Sequence, residues 1–207
     1  MTASILVIDT VGPWCAAAVK VGDKACQAAE EIGRGHAERL APMVEALLAE
    51  AGLAPADLSR IGVNVGPGSF AGARVGVSFA RGLALATGAQ AVGVGLLPAL
   101  ARQADPAGER AVFAIHDAKR GEFLWSLFEP GQNTARLERG DLGKAQAAAA
   151  RRPNALITGS GAAALGAAAN DGRPPLEALL ALTASAPADA PPPAPLYARP
   201  PDAKPSA

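Results

Sequence analysis

The chain has 207 residues, half of them hydrophobic, and its 19 basic and 19 acidic side chains leave a formal net charge of zero. That length supports one large domain or two small ones with ample core. A balanced charge excludes a free-standing grip on nucleic acid, whose affinity rests mainly on neutralised phosphates, so any contact with nucleic acid would run through a partner. The start, Met1-Thr2-Ala3-Ser4, carries no basic region, and Ile5 to Ile8 is too short an apolar run for a secretory leader. Two cysteines make no disulfide framework, and free thiols in a reducing cytoplasm are the expectation.

In chain order, Ser4 to Ile8, Trp14 to Lys20 and Lys24 to Glu30 read as three strands joined by turns at Gly12-Pro13 and Gly22-Asp23. The second turn sets Cys15 opposite Glu30 and Cys26 opposite Val19, so the thiols do not face each other. Leu40, Met43, Val44, Leu47, Leu48 and Ala51 then fall on one face of an amphipathic helix that Gly52 ends. A strand over Ile61 to Val65, a glycine-rich turn, a helix over Phe70 to Thr87, a strand over Ala91 to Gly95 and a helix from Leu97 follow. The order βββαβαβα, antiparallel at the start and parallel after it, is that of a ribonuclease-H-like or actin-like half. Gly82 to Ala101 is uncharged and as long as a membrane span, yet its glycines, Gln90 and Pro98 read as helix end, turn, buried strand and next helix start.

A turn at Asp105-Pro106-Ala107-Gly108 separates a smaller second half. The expected organisation is an N-terminal subdomain over 1–104, a smaller α/β subdomain over 109–186 and an extended, proline-rich tail over 187–207. In the second half, Ala111 to His116, Glu122 to Phe128, Thr134 to Glu138 and a short Leu156 to Thr158 read as strands among alanine-rich helical stretches.

The most informative segment is Gly66-Pro67-Gly68-Ser69-Phe70-Ala71-Gly72-Ala73-Arg74-Val75-Gly76. It follows a strand and opens a helix whose positions 68, 72, 76, 80, 84 and 88 are Gly, Gly, Gly, Ala, Ala and Gly. That spacing makes one nearly bare helix face. The segment is either a phosphate cradle at a helix N-terminus or a docking face for another backbone. Gly66-x-Gly68-x-x-Ala71 matches a dinucleotide fingerprint, but no acidic residue occurs between Ser59 and Ala104 to hold a ribose. A P-loop fails because no Lys follows, and a nucleophile elbow at Ser69 fails because position 67 is Pro. Ser69 reads instead as the N-cap of the helix. The glycine face could let the helix lie tight on its own sheet, but alanine would serve for most such packing and each helical glycine costs about 1 kcal/mol. A partner helix is the better explanation of Gly72 and Gly76.

The glycine segment also resembles the G-P-G-S-F-T-G-L-R-I-G signature of the TsaB (YeaZ-type) family. Arg34-Gly35-His36-Ala37-Glu38-Arg39-Leu40-Ala41-Pro42 is similar to that family's R-G-H-S-E-x-L-x-P, and Asp117-Ala118-Lys119-Arg120-Gly121-Glu122-Phe123 to its D-A-R-R-G-E-V-Y. Asp9-Thr10 and Pro195-Leu196-Tyr197-Ala198-Arg199-Pro200 also fit, with Ala71, Ala73 and Phe123 as departures. The resemblance implies an actin-like (ribonuclease-H-like, ASKHA) fold of α/β class. It also implies a non-catalytic subunit that pairs with TsaD, is joined by TsaE with ATP, and serves threonylcarbamoylation of adenosine 37 in tRNAs reading ANN codons. Alone, such proteins self-pair, and they have no cofactor of their own. The implied interface is Arg34, His36, Glu38, Leu40, Met43, Ser69, Phe70, Gly72, Arg74 and Gly76.

Two positions bear on the competing enzyme readings. Asp9 and Thr10 stand where actin-like kinases work through Mg²⁺ on phosphates, although a carboxylate ending a first strand is often only a turn-former. TsaD relatives carry His-x-x-x-His at the helix that His36 opens. Here the second position is Leu40, which disfavours a metallopeptidase, and a lone His36 with a distant His116 makes no convincing metal site. A metallopeptidase or a small-molecule kinase remains the alternative to a binding subunit.

Overall fold

The computed structural model describes residues 3–168 and 170–197. The last three residues of the expected Pro195–Pro200 motif and the tail beyond them lie outside this range. The first sheet takes strands β1 (Ser4–Asp9), β2 (Trp14–Val21), β3 (Lys24–Glu31), β4 (Arg60–Asn64) and β5 (Gln90–Val94) in the order β3-β2-β1-β4-β5. β1 pairs antiparallel with β2 and parallel with β4, which is the mixed sheet expected of an actin-like α/β fold. The β2–β3 register sets Cys15 opposite Glu30 and Val19 opposite Cys26, as the turn at Gly22-Asp23 predicts.

β1 is buried along its whole length because helices cover both faces of the sheet. One face takes α1 (His36–Ala51) and α2 (Phe70–Thr87), whose Leu40, Met43, Val44, Leu47, Leu48, Val77 and Ala80 pack on Leu6, Ile8, Ile61 and Val63. Each large apolar side chain buried there contributes roughly 1.5–3 kcal/mol. Gly52 in the left-handed conformation ends α1, as the sequence predicts. The other face takes α5 (Leu176–Ala184), whose Leu176, Leu179 and Leu180 pack on Ile5, Val7, Ala16, Val92 and Val94. Thr183 of α5 lies so close to β4 that a Cβ at Gly62 would stand 2.0 Å from its Oγ1. A second subdomain running to residue 186 therefore needs correction: α5 is apolar on the side that returns to the first sheet and completes that core.

The second sheet, β8-β7-β6-β9, holds β6 (Val112–Asp117), β7 (Phe123–Phe128), β8 (Glu138–Gly140) and β9 (Leu156–Thr158). The strand expected over Thr134 to Glu138 forms further on, where Gly140 passes the Trp125 ring at a spacing that leaves little room for a side chain. α3 (Leu96–Ala104) packs on this sheet through Leu97, Leu100 and Ala101, and α4 (Leu142–Ala149) closes its far side with Ala145 and Ala148. The uncharged run over residues 82–101 is the end of α2, β5 and the start of α3. Among the described residues, no helix is long and apolar enough to cross a membrane.

Candidate functional site

The C-terminal ends of β1 and β4 lie side by side, and Asp9 and Asn64 stop there with their side chains buried. Asp9 accepts from the Val11 N–H at 3.0 Å and from Asn64 Nδ2 at 2.7 Å, while Asn64 Oδ1 accepts from the Gly66 N–H at 3.0 Å. Burial pushes the Asp9 carboxyl above its ordinary range, and the two hydrogen bonds pull the other way. Both carboxylate oxygens are therefore occupied in fixing the β1–β2 turn and the glycine-rich loop. Thr10, fully buried, donates from Oγ1 to the Gly72 carbonyl at 2.7 Å.

The glycine-rich segment folds onto this turn. Val11 accepts from the Ser69 N–H at 2.7 Å, and Ser69 Oγ accepts from the Gly72 N–H at 3.1 Å, so Ser69 is the N-cap that the sequence predicts. A Cβ at Gly68 would stand 2.4 Å from the Val11 carbonyl oxygen, one at Gly72 1.9 Å from that of Thr10, and one at Gly76 2.6 Å from Thr10 Oγ1. The expectation of a partner helix over Gly72 and Gly76 is thus corrected. The bare face lets α2 touch the chain's own β1–β2 turn, where backbone stands too close for alanine. The same contacts agree with the sequence in disfavouring a phosphate cradle, since the Gly66, Ser69 and Gly72 N–H groups already have internal acceptors.

The other expected interface residues divide by burial. Leu40 and Met43 lie in the core, because the apolar stripe of α1 faces the sheet. His36 is buried at the start of α1, with Nε2 3.2 Å from the Gly12 carbonyl oxygen. Arg34, Glu38, Ser69, Phe70 and Arg74 are exposed. Arg74 lies over the Phe70 ring, 3.9 Å from its centroid, and donates from Nε to the Tyr197 hydroxyl at 2.9 Å. Tyr197 packs on Phe70 with centroids 4.6 Å apart, and the Leu196 N–H donates to the Val65 carbonyl at 2.7 Å. The described part of the proline-rich tail is therefore a strap over the glycine-rich loop. Its motif was legible in sequence; its partner was not, because cation–aromatic contacts over more than a hundred residues leave no local pattern.

Two surfaces remain open. A cleft of about 250 Å³ lies between the sheets, with Asp9, Pro67, Leu100, His116 and Ser160 among its lining residues. Ser160 Oγ accepts from the Asp117 N–H at 3.0 Å and lies 3.1 Å from His116 Nδ1, and burial lowers the affinity of that imidazole for a second proton. Among the described residues, no group of three or more His, Cys, Asp or Glu side chains is placed to hold a metal ion. The second surface is the outer side of the α1–α2 layer, where Glu38, Ala41, Pro42, Glu45, Ala49, Arg74, Ser78, Arg81, Gly82 and Leu85 are exposed.

Residues 28–170 match the family model described as TsaD, tRNA N6-adenosine threonylcarbamoyltransferase. The chain is 34% identical over 130 residues to the tRNA threonylcarbamoyladenosine biosynthesis protein TsaB of Escherichia coli, covering 62% of this chain and 56% of that protein. It thus spans little more than half the length of that relative. Among solved structures, YeaZ from Pseudomonas aeruginosa is similar at 34% identity and a TM-score of 0.60, covering 67% of each chain. A second structure, of an uncharacterized protein with similarity to peptidase YeaZ from Pseudomonas aeruginosa, aligns with a TM-score of 0.69 at 27% identity, over 88% of this chain and 90% of that one.

Proposed function

The chain belongs to the TsaD family as a TsaB (YeaZ)-type member, and from that premise we propose that it is a non-catalytic subunit of tRNA threonylcarbamoyladenosine biosynthesis. It binds TsaD through the outer side of the α1–α2 layer, and TsaE joins that pair. ATP is used through TsaD and TsaE, tRNA is met only through the complex, and the work is done in the cytoplasm. Alone, the protein pairs with itself.

What carries this reading is the wiring at the end of β1. An actin-like kinase needs an acidic group there that is free to act through a metal ion on phosphates. In this chain the oxygens of Asp9 hold the Val11 N–H and Asn64, and Thr10 holds Gly72. The residues that would do chemistry serve as the joint between the β1–β2 turn and α2. That joint stiffens the base of the helix layer, which suits a docking platform better than an active site.

The test is turnover by the purified full chain. It should neither hydrolyse ATP nor modify tRNA by itself, and elemental analysis should find no stoichiometric zinc or iron. ATP hydrolysis that follows the chain through successive columns would favour the kinase alternative, and peptide hydrolysis with one bound metal per chain the metallopeptidase.

A further inference from the structure

The strap over residues 187–197 is seated well before it reaches α2. The Gln90 side chain donates from Nε2 to the Pro187 and Ala188 carbonyls at 2.8 and 3.0 Å. Pro193 is buried against β5, where a Cβ at Gly93 would stand 3.3 Å from that of Pro193. The Leu196 N–H is then held by Val65. Beyond these anchors the strap meets α2. Tyr197 lays its ring on Phe70 and accepts from Arg74 Nε, while the Arg74 guanidinium lies over the Phe70 ring. That guanidinium is fixed by the ring and at one N–H, yet the side chain is exposed. Among the described residues its Nη groups meet no carboxylate. An arginine in this state loses little rotamer freedom on binding, and its fork matches the geometry of a carboxylate or a phosphate.

The surroundings choose between those two. A phosphate backbone needs a row of cations, because its affinity comes from neutralising many charges. α2 carries only Arg74 and Arg81, and the exposed side of neighbouring α1 carries Glu38 and Glu45, which would repel such a backbone. A single carboxylate on a protein needs only one fork, and α2 has no acidic residue to compete for it. We infer that the strap serves docking: Tyr197 is a positioning residue that holds the Arg74 guanidinium on Phe70, and the Nη edge of Arg74 takes an aspartate or glutamate side chain of the docking partner. The inference rests on the docking role proposed above for the α1–α2 layer and gives the proline-rich strap a part in it.

The experiment is titration calorimetry of the full chain with purified TsaD, with circular dichroism and urea denaturation of each variant alongside. Arg74→Lys keeps the charge and loses the fork, and should weaken binding at least about tenfold, the size of a charge-assisted pair. Tyr197→Phe keeps the ring on Phe70 and loses only the acceptor for Nε, and should weaken binding about threefold. Because Tyr197 acts through Arg74, the double variant should bind no more weakly than Arg74→Lys alone. All three should unfold like wild type, since neither side chain is fully buried. Wild-type binding of TsaD that Arg74→Lys leaves unchanged overturns the inference while the docking role stands. Losses that add in the double variant also overturn it, because Tyr197 would then act apart from Arg74. Failure of wild type to bind TsaD overturns the docking role and the inference together. A last arm offers purified tRNA to the free chain, and no binding is expected. Binding that Arg74→Lys abolishes would give the fork to a phosphate and overturn the assignment to a carboxylate.

Discussion

Gly72, which packs against the β1–β2 turn, and Gly82, which faces open space, should respond to the same substitution with opposite signs. At Gly72 an added methyl would stand 1.9 Å from the Thr10 carbonyl oxygen and 3.0 Å from its carbon, both backbone atoms that cannot swing aside. Relief requires α2 to lift from the β1–β2 turn by more than an ångström, which also stretches the 2.7 Å hydrogen bond from Thr10 to the Gly72 carbonyl. Overpacking of this kind costs about 1–3 kcal/mol, and a lost hydrogen bond about 1 kcal/mol more. Helix propensity returns about 1 kcal/mol. Gly72→Ala should therefore destabilise the fold by roughly 1–3 kcal/mol. Gly82→Ala meets open space and should stabilise it by roughly 0.5–1 kcal/mol. Urea denaturation of both variants against wild type, compared at constant m-value, measures the difference directly. A Gly72→Ala protein as stable as wild type would refute the argument that the glycine face is spent on the chain's own turn.

Three other outcomes follow from the same contacts. Asn64→Ala removes the partner of both Asp9 and the Gly66 N–H in a fully buried setting, and should cost about 2–5 kcal/mol in the same denaturation experiment. Stability should fall as pH drops through 6.5, the ordinary value for histidine, because the unfolded chain then takes up a proton that half-buried His116 resists. Above that value the contribution is flat, and His116→Gln, melted at a series of pH values, should lose this part of the slope. Tyr197→Ala removes the ring on Phe70 and the acceptor for Arg74. The Leu196 amide should then exchange with deuterium faster, while amides of β1 and β4 keep their protection.

Much of the fold was legible because its signals are local. The helix over Phe70 to Thr87, the register of the β2–β3 hairpin and the end of α1 at Gly52 each follow from periodicity, a two-residue turn or a capping glycine. What the sequence did not carry was direction. A glycine every four residues states that something comes close to one face of α2, and nothing in the spacing says whether that neighbour is another chain or Thr10 and Val11, some sixty residues earlier. The apolar stripe of Leu40 and Met43 is ambiguous in the same way, and burial assigns it to the core. Asn64 was missed because one polar residue ending a strand has no periodic context. α5 could not be assigned to the first sheet for a related reason, since the β-strands it covers lie more than eighty residues away along the chain.

The central claim, that this chain acts by binding TsaD rather than by its own chemistry, is tested most directly by mixing the full chain with purified TsaD from the same organism and weighing the product by light scattering on a sizing column. The account predicts a stable complex containing both chains, which TsaE with ATP then enlarges. Two separate peaks at all concentrations, with or without TsaE and ATP, would contradict it.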